Sequence, residues 1–337
     1  MMSSKNVGNT QEFNIQSTSS KMTFANCWDH FLKRLGINRG GNRVVPGLYA
    51  LGKPALDSPV FVTANYSRSF DALRKALRDT DCYILVLDTF GINVWCAAGK
   101  GTFGTDELVH RTEETKLAEI VRHRKLILPQ LSAPGVAAHE VKKRTGFSVE
   151  YGPVRAADLL EYVKTRNATV EMRRVRFTFR DRLELVPVEL IQTLIIMAIV
   201  GCALFFIGGP MAATAAIAAV LAGVVLFPIL LPWIPTPNFS TKGFILGGII
   251  ALPFFLAKLT GNHEVALWQR TGLACVYLLT LSPVTAFLAL NFTGATTFTS
   301  RTGVKREIFT YVPIMAWMFG GGVILSITFT LIVVLGG

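Results

Sequence analysis

The chain has 337 residues, 51% of them hydrophobic, with 34 Lys and Arg against 22 Asp and Glu. That composition is too apolar for one soluble domain, and five cysteines without a Cys-x-x-Cys pair leave no zinc ribbon or cluster-binding run. The charge is also segregated: 28 of the Lys and Arg and 19 of the Asp and Glu precede residue 187. Two domains in different solvents are therefore expected, the first one reduced and intracellular.

Residues 1–22 are rich in Ser, Asn, Thr and Gln and lack the apolar stretch of a signal peptide. Residues 1–44 are read as a disordered tail and lead-in. From residue 59 strands and helices alternate. Val60-Phe61-Val62 is a short β-branched strand, and Phe70, Leu73 and Leu77 recur at helical spacing behind Ser67 or Ser69. Residues 82–87 are continuously apolar, as in a parallel strand covered on both faces. A long loop is expected over 88–104, then a helix capped by Thr105 with Asp106 and Glu107 in its first turn. Strands at 126–128 and 147–150 alternate with helices at 136–145 and 155–164. The fold class is α/β: a Rossmann-like parallel sheet over residues 45–166 with helices on both faces. Ligands bind such sheets at the carboxyl ends of strands, so the loops after Val62, Leu87 and Leu128 form the candidate site, with Thr63 and Asn65 in the first of them.

Residues 167–186 form a basic juxtamembrane linker containing Arg173, Arg174, Arg176, Arg180 and Arg182. Beyond it, residues 187–337 hold five apolar stretches, at 187–207, 211–231, 243–259, 266–290 and 308–335. A span needs ~20 such residues, so an all-α bundle of about five transmembrane helices is expected. The positive charges place the arginine-rich linker, and with it the first domain, on the cytoplasmic side of the inner membrane. The arginines abut a span and read as topology and lipid contact, so no nucleic acid is expected as a partner. A membrane transporter with a cytoplasmic regulatory domain is a competing class. Its signal is weak, because Lys258, Glu264 and Arg270 sit near helix ends or loops.

The loop after the second strand reads Asn93-Val94-Trp95-Cys96-Ala97-Ala98-Gly99-Lys100-Gly101-Thr102. A P-loop would need Gly at 94 and Ser or Thr at 101, where Val94 and Gly101 stand. A buried structural pair of Trp95 and Cys96 is a second reading, and it is the favoured one for the other cysteines, Cys27, Cys82, Cys202 and Cys275. The third is a ligand-binding loop whose small residues admit a broad flat ligand close to the backbone.

The third reading carries a resemblance. Residues 93–100 resemble the signature of the corrinoid proteins of microbial mercury methylation, the HgcA family. Residues 45–49, 62–66, 128–136 and 151–158 look like further segments of that family, and a membrane tail fits it. The first domain is also similar to the corrinoid-binding part of the corrinoid iron–sulfur protein of anaerobic acetyl-CoA metabolism. The resemblance implies corrinoid-dependent methyl transfer to inorganic Hg(II), with a cobalamin-type corrinoid as cofactor and Thr63, Asn65 and residues Asn93, Val94, Trp95, Cys96, Ala97, Ala98, Gly99 and Lys100 around it. None of His30, His110, His123, His139 and His263 stands in a D-x-H-x-x-G loop, which leaves the Cys96 thiolate as candidate lower axial ligand to cobalt and catalytic residue. A thiolate is a soft, strongly donating ligand, and the positive charge of Lys100 favours it; a solvated loop lysine is the other reading of Lys100. Hg(II) is an electrophile, so methyl leaves with electrons, as a carbanion or radical equivalent. The implied partners are a small dicluster ferredoxin, HgcB, as electron donor and Hg(II) carrier, and a methyltetrahydrofolate-type methyl donor. A membrane-anchored corrinoid methyl carrier of one-carbon metabolism with another acceptor is the alternative.

Overall fold

The computed structural model describes residues 14–38, 40–261, 265–296 and 299–335. The chain divides into two units, Met1–Lys33 with Ile37–Val175, and Arg34–Gly36 with Arg176–Gly337. The division at 175/176 falls inside the arginine-rich stretch.

The first unit is built on β1 (Ile15–Thr18), α1 (Phe24–Arg34), β2 (Gly47–Leu51), β3 (Val60–Ala64), α2 (Ser67–Ala76), β4 (Cys82–Leu87), α3 (Val94–Lys100), α4 (Thr105–Glu114), α5 (Leu117–Ile120), β5 (Lys125–Leu128), α6 (Ala138–Thr145), β6 (Ser148–Tyr151), α7 (Leu159–Thr165) and α8 (Val170–Arg173). The strands form one six-stranded sheet in the order β1-β2-β4-β3-β5-β6. β3 and β4 are buried at every residue, which explains their unbroken apolar character. Val60, Val62, Leu85 and Leu87 pack on one face with Leu108 and Val141 of α4 and α6. Phe61, Ile84 and Val86 pack on the other with Phe70, Leu73 and Tyr162 of α2 and α7.

The expectation of a purely parallel sheet is corrected. β3 to β6 run parallel, but β2 pairs antiparallel with β4, Gly47 opposite Val86 and Leu51 opposite Cys82. β1 then pairs parallel with β2, so the sheet is mixed. The stretch read as a disordered lead-in therefore supplies an edge strand and a helix; residues 1–13 lie outside those described. Polar Gln16, Ser17 and Thr18 suit an edge and give no apolar run by which to recognise a strand.

Order matters for the site. The chain leaves β3 toward β4 on one side, then crosses over to β5 on the other. The switch point, where ligands bind in sheets of this kind, therefore lies between the carboxyl ends of β3 and β5.

The second unit follows with α9 (Phe179–Leu183), α10 (Val186–Leu221), a π-helical turn at 222–226, α11 (Phe227–Leu230), α12 (Phe239–Thr260), α13 (Leu267–Asn291) and α14 (Arg301–Leu335). Among the described residues four helices are long and apolar enough to cross a membrane, the first of them running Phe179–Leu230. The first of these four carries the first two of the five apolar stretches, joined across a break. Gly209 breaks that helix with φ 77° and ψ −178°. A Cβ placed at Gly201 would lie 3.2 Å from Ile217 Cδ1. Sixteen residues of straight helix would separate the two by about 24 Å, so the chain doubles back at Gly209. Gly243 and Gly247, one turn apart on α12, let its backbone approach α13. Added Cβ atoms there would sit 2.5 Å from Ala286 Cα and 2.8 Å from Ser282 Cα. Small residues at this spacing are how helices pack without a hydrophobic drive between them.

Candidate functional site

The segment after β4 is a helix where a loop was expected. α3 is seven residues long and is specified residue by residue. Asn93 is extended and its side chain accepts from the Cys96 backbone N–H at 2.9 Å, a standard cap. Val94, Ala97 and Ala98 are buried in the core against the sheet. Gly101 ends the helix in the left-handed region, φ 86°, and donates its N–H to Ala97 and Ala98 carbonyls. Trp95 and Cys96 are half-buried, and Gly99 and Lys100 are exposed.

This placement also gives two of the small residues a role in packing. Ala97 and Ala98 face inward, where a Cβ added at Gly135 would lie 3.0 Å from Ala98 Cα. The missing side chain at Gly135 lets the 134–135 turn lie against α3, and a bulky substitution at buried 97 or 98 meets the protein's own core. Lys100 occupies the last turn of α3, where its charge complements the helix dipole with or without a ligand.

Asn65 lies just past the end of β3. It is 2% exposed, and its amide is committed to the protein. Oδ1 accepts from Thr89 N at 3.1 Å and Gly91 N at 2.9 Å, with the Thr89 hydroxyl 2.9 Å away; Nδ2 donates to Asp88 Oδ1 at 2.9 Å. These bonds hold a turn in which Phe90 and Gly91 both have positive φ, 57° and 72°. Asp88 N in turn donates to Glu107 Oε1 at 2.8 Å, and Arg111 grips the same oxygen at 2.9 Å. Asn65, Asp88, Thr89, Glu107 and Arg111 thus fix the segment that delivers α3. The sequence reading missed the last four; polar residues straight after a continuously apolar strand were the only signal.

Beside α3 a cleft of about 260 Å³ opens at the switch point. Thr63 of β3, Trp95 of α3, Leu128 and Pro129 after β5 and Val154 after β6 are among its walls. Thr63 is 3% exposed. Cys96 follows Trp95 directly and is a free, half-buried thiol. Cys82 is a different case: it is fully buried on β4, and burial, with Asp81 nearby, pushes its thiol up to about 12. Cys27 is exposed on α1, while Cys202 and Cys275 lie on two of the long apolar helices. Among the described histidines, His30 pairs with Asp71 at 2.8 Å, His123 Nε2 lies 2.8 Å from the Ser58 carbonyl, and His110 and His139 are exposed; His263 lies outside the described residues. No group of three or more His, Cys, Asp or Glu able to hold a metal occurs among the described residues.

The Cys82 thiol gives a pH prediction. Its folded pKa lies above the ordinary value of 9.0, so its contribution to stability is complete below pH 9 and is lost as pH rises toward 12. The slope is about 1.4 kcal/mol per pH unit. Urea midpoints of the first unit should fall across this window, and Cys82→Val should flatten the fall.

Residues 39–163 match the CdhD family, CO dehydrogenase/acetyl-CoA synthase delta subunit. The acetyl-CoA decarbonylase/synthase complex subunit gamma of Methanopyrus kandleri is 33% identical over 128 residues, 37% of this chain and 27% of that protein. The same subunit of Archaeoglobus fulgidus is 34% identical over 114 residues, 33% of this chain and 24% of that protein. The corrinoid/iron-sulfur protein large subunit of Moorella thermoacetica is 26% identical over 129 residues, 38% of this chain and 28% of that protein. The chain thus matches about a quarter of the length of these relatives, and the family match falls within the first unit, which is a corrinoid-protein-like domain. The whole of β2 to β6, α3 and the cleft lie inside the match.

Proposed function

We propose that the chain is a membrane-anchored, corrinoid-dependent methyltransferase that methylates inorganic Hg(II), with its first unit on the cytoplasmic side. The observation that carries the reading is Cys96: a free, half-buried thiol on a rigidly capped helix at the switch point of a domain similar to the corrinoid/iron-sulfur protein large subunit. A corrinoid bound there supplies a cobalt-borne methyl group. The site fits such a group. Cys96 is the neighbour of Trp95, which walls the cleft; one soft sulfur there would suit a metal whose other positions a macrocycle fills, whereas a bare structural zinc needs four protein ligands.

Each residue then has a task. Cys96 sulfur would hold the corrinoid's cobalt. A thiolate pushes electron density onto the metal it binds, which suits an electrophilic acceptor such as Hg(II). Asn93 and Gly101 fix α3 from its two ends, and Thr63 and Trp95 wall the cleft. Asn65 acts one step removed, by holding the 88–91 turn. With no cluster-binding cysteine run in the sequence, reducing equivalents would come from outside. A dicluster ferredoxin of the HgcB kind and a methyltetrahydrofolate-type donor are the proposed partners. A second reading, a corrinoid methyl carrier with another acceptor, is favoured by the likeness to acetyl-CoA decarbonylase/synthase subunits.

The test is a visible spectrum. Full-length protein reconstituted with hydroxocobalamin and desalted should retain cobalt near one per chain, with a spectrum unlike that of the benzimidazole-ligated free cofactor. Loss of all cobalt on desalting would defeat both readings. Retained cobalt with no methylmercury formed from Hg(II) would leave only the second.

A further inference from the structure

α1 is turned the unusual way round. Helices on water-exposed surfaces bury an apolar stripe and show a polar one. Here the polar residues are inside. Lys33 is 2% exposed and donates to Asp29 Oδ2 at 2.9 Å, to Ser67 Oγ at 2.5 Å and to the Asn42 carbonyl at 3.2 Å. Asn42 and Ser67 also donate to the Asp29 carboxylate, at 2.9 and 2.6 Å. On the same side His30 meets Asp71, which Arg74 also holds at 2.6 Å. This network bolts one face of α1 to α2 and prevents the helix from rotating. The opposite face carries Phe24, 83% exposed, Trp28, 51% exposed, and Phe31, 50% exposed. Their rings form a row, with centroids 6.5 and 5.5 Å apart, and exposed Cys27 lies on the same face.

We propose that α1 is an in-plane membrane anchor, with the Phe24–Trp28–Phe31 face seated in the boundary between lipid headgroups and acyl chains. The proposal rests on reading the chain as membrane-spanning, for which its four long apolar helices are the support. The chemistry of the face selects lipid as the occupant. Phe with Trp on one side of a short helix is the pattern of interfacial helices, and Trp is at home at headgroup depth. Lys21, exposed just before α1, and the excess of nine positive charges before residue 187 suit anionic headgroups. Anchoring α1 holds α2, to which it is bolted, and with it the sheet whose strand ends carry the candidate site.

The experiment uses the full chain with Cys96, Cys202 and Cys275 changed to Ala, leaving Cys27 as the reactive thiol and Cys82 buried. A nitrobenzoxadiazole label on Cys27 is followed after reconstitution into vesicles of three parts phosphatidylcholine to one part phosphatidylglycerol. Spin-labelled lipid should quench the label at least twofold, and aqueous iodide should quench it little. Phe24→Glu with Phe31→Glu should cut the lipid quenching at least threefold without moving the unfolding temperature. A label reached by iodide and not by lipid overturns the proposal. So does a label reached by neither, which would mean that protein covers the face. Chains that fail to float with the vesicles would instead overturn the membrane-spanning reading beneath it.

Discussion

Replacing Cys96 with Ala is expected to reduce methylmercury formation by at least 100-fold while leaving the fold in place. Cys96 is half-buried, and what it gives α3 is its backbone N–H, which Asn93 receives whatever the side chain. Ala has the best helix propensity of all residues, so α3 should form at least as well. The change therefore isolates the sulfur. The measurement is methylmercury yield from Hg(II) at matched protein level, beside the thermal midpoint. Cys96→His is the finer test. An imidazole can ligate cobalt but donates less charge than a thiolate, so cofactor retention should survive and transfer should not. Equal turnover in the His variant would remove thiolate donation from the proposed chemistry. Full activity in the Ala variant would remove Cys96.

Asn65→Leu is expected to have the second largest effect, and to act through stability and positioning together. The substitution keeps the branched shape but deletes an acceptor for two buried N–H groups and a donor to Asp88. Each orphaned buried group costs about 1–3 kcal/mol, so a loss of about 3 kcal/mol or more is expected. For a unit of this size that is a fall of about 6–12 °C in melting temperature. The turn at Phe90 and Gly91, with positive φ at both residues, loses what holds it. Activity should fall further than stability alone explains, because α3 begins three residues later. Asn65→Asp keeps Oδ1 but sets a second carboxylate against Asp88, and should fall between wild type and Leu. Unchanged melting in Asn65→Leu would mean that the turn is held by its other contacts.

Much of the domain was readable from residue pattern. The apolar runs at 60–62 and 82–87 are strands because both faces are covered, and burial on both faces is what removes alternation from a strand. The signature at 93–101 was readable as chemistry but not as geometry. Gly99 and Gly101 made it look like a loop, whereas Gly101 is the left-handed residue that stops a helix and Asn93 the cap that starts one. Ala97 and Ala98 were read as leaving room for a ligand because small residues permit close approach; nothing in the residues beside them says that both are also buried in the core, with Gly135 against the backbone of Ala98. The antiparallel β2 stayed hidden because direction is set by pairing, and pairing partners 30 residues apart leave no local trace. The same holds for Asn65: nothing in the residues beside it says that its amide faces Asp88 and Gly91.

The position of the sheet in the chain bears on how the protein is made. Every strand precedes residue 152, and the first long apolar helix begins at Val186. All partners of the sheet, including the two strands that run against the rest, have therefore been synthesised before the first long apolar segment has. At ~5–20 residues per second, the intervening stretch allows about 2–7 s for the domain to condense on its own. Its apolar strands can be covered before any greasy helix is present to compete for them, and membrane insertion can then proceed with a folded passenger already upstream.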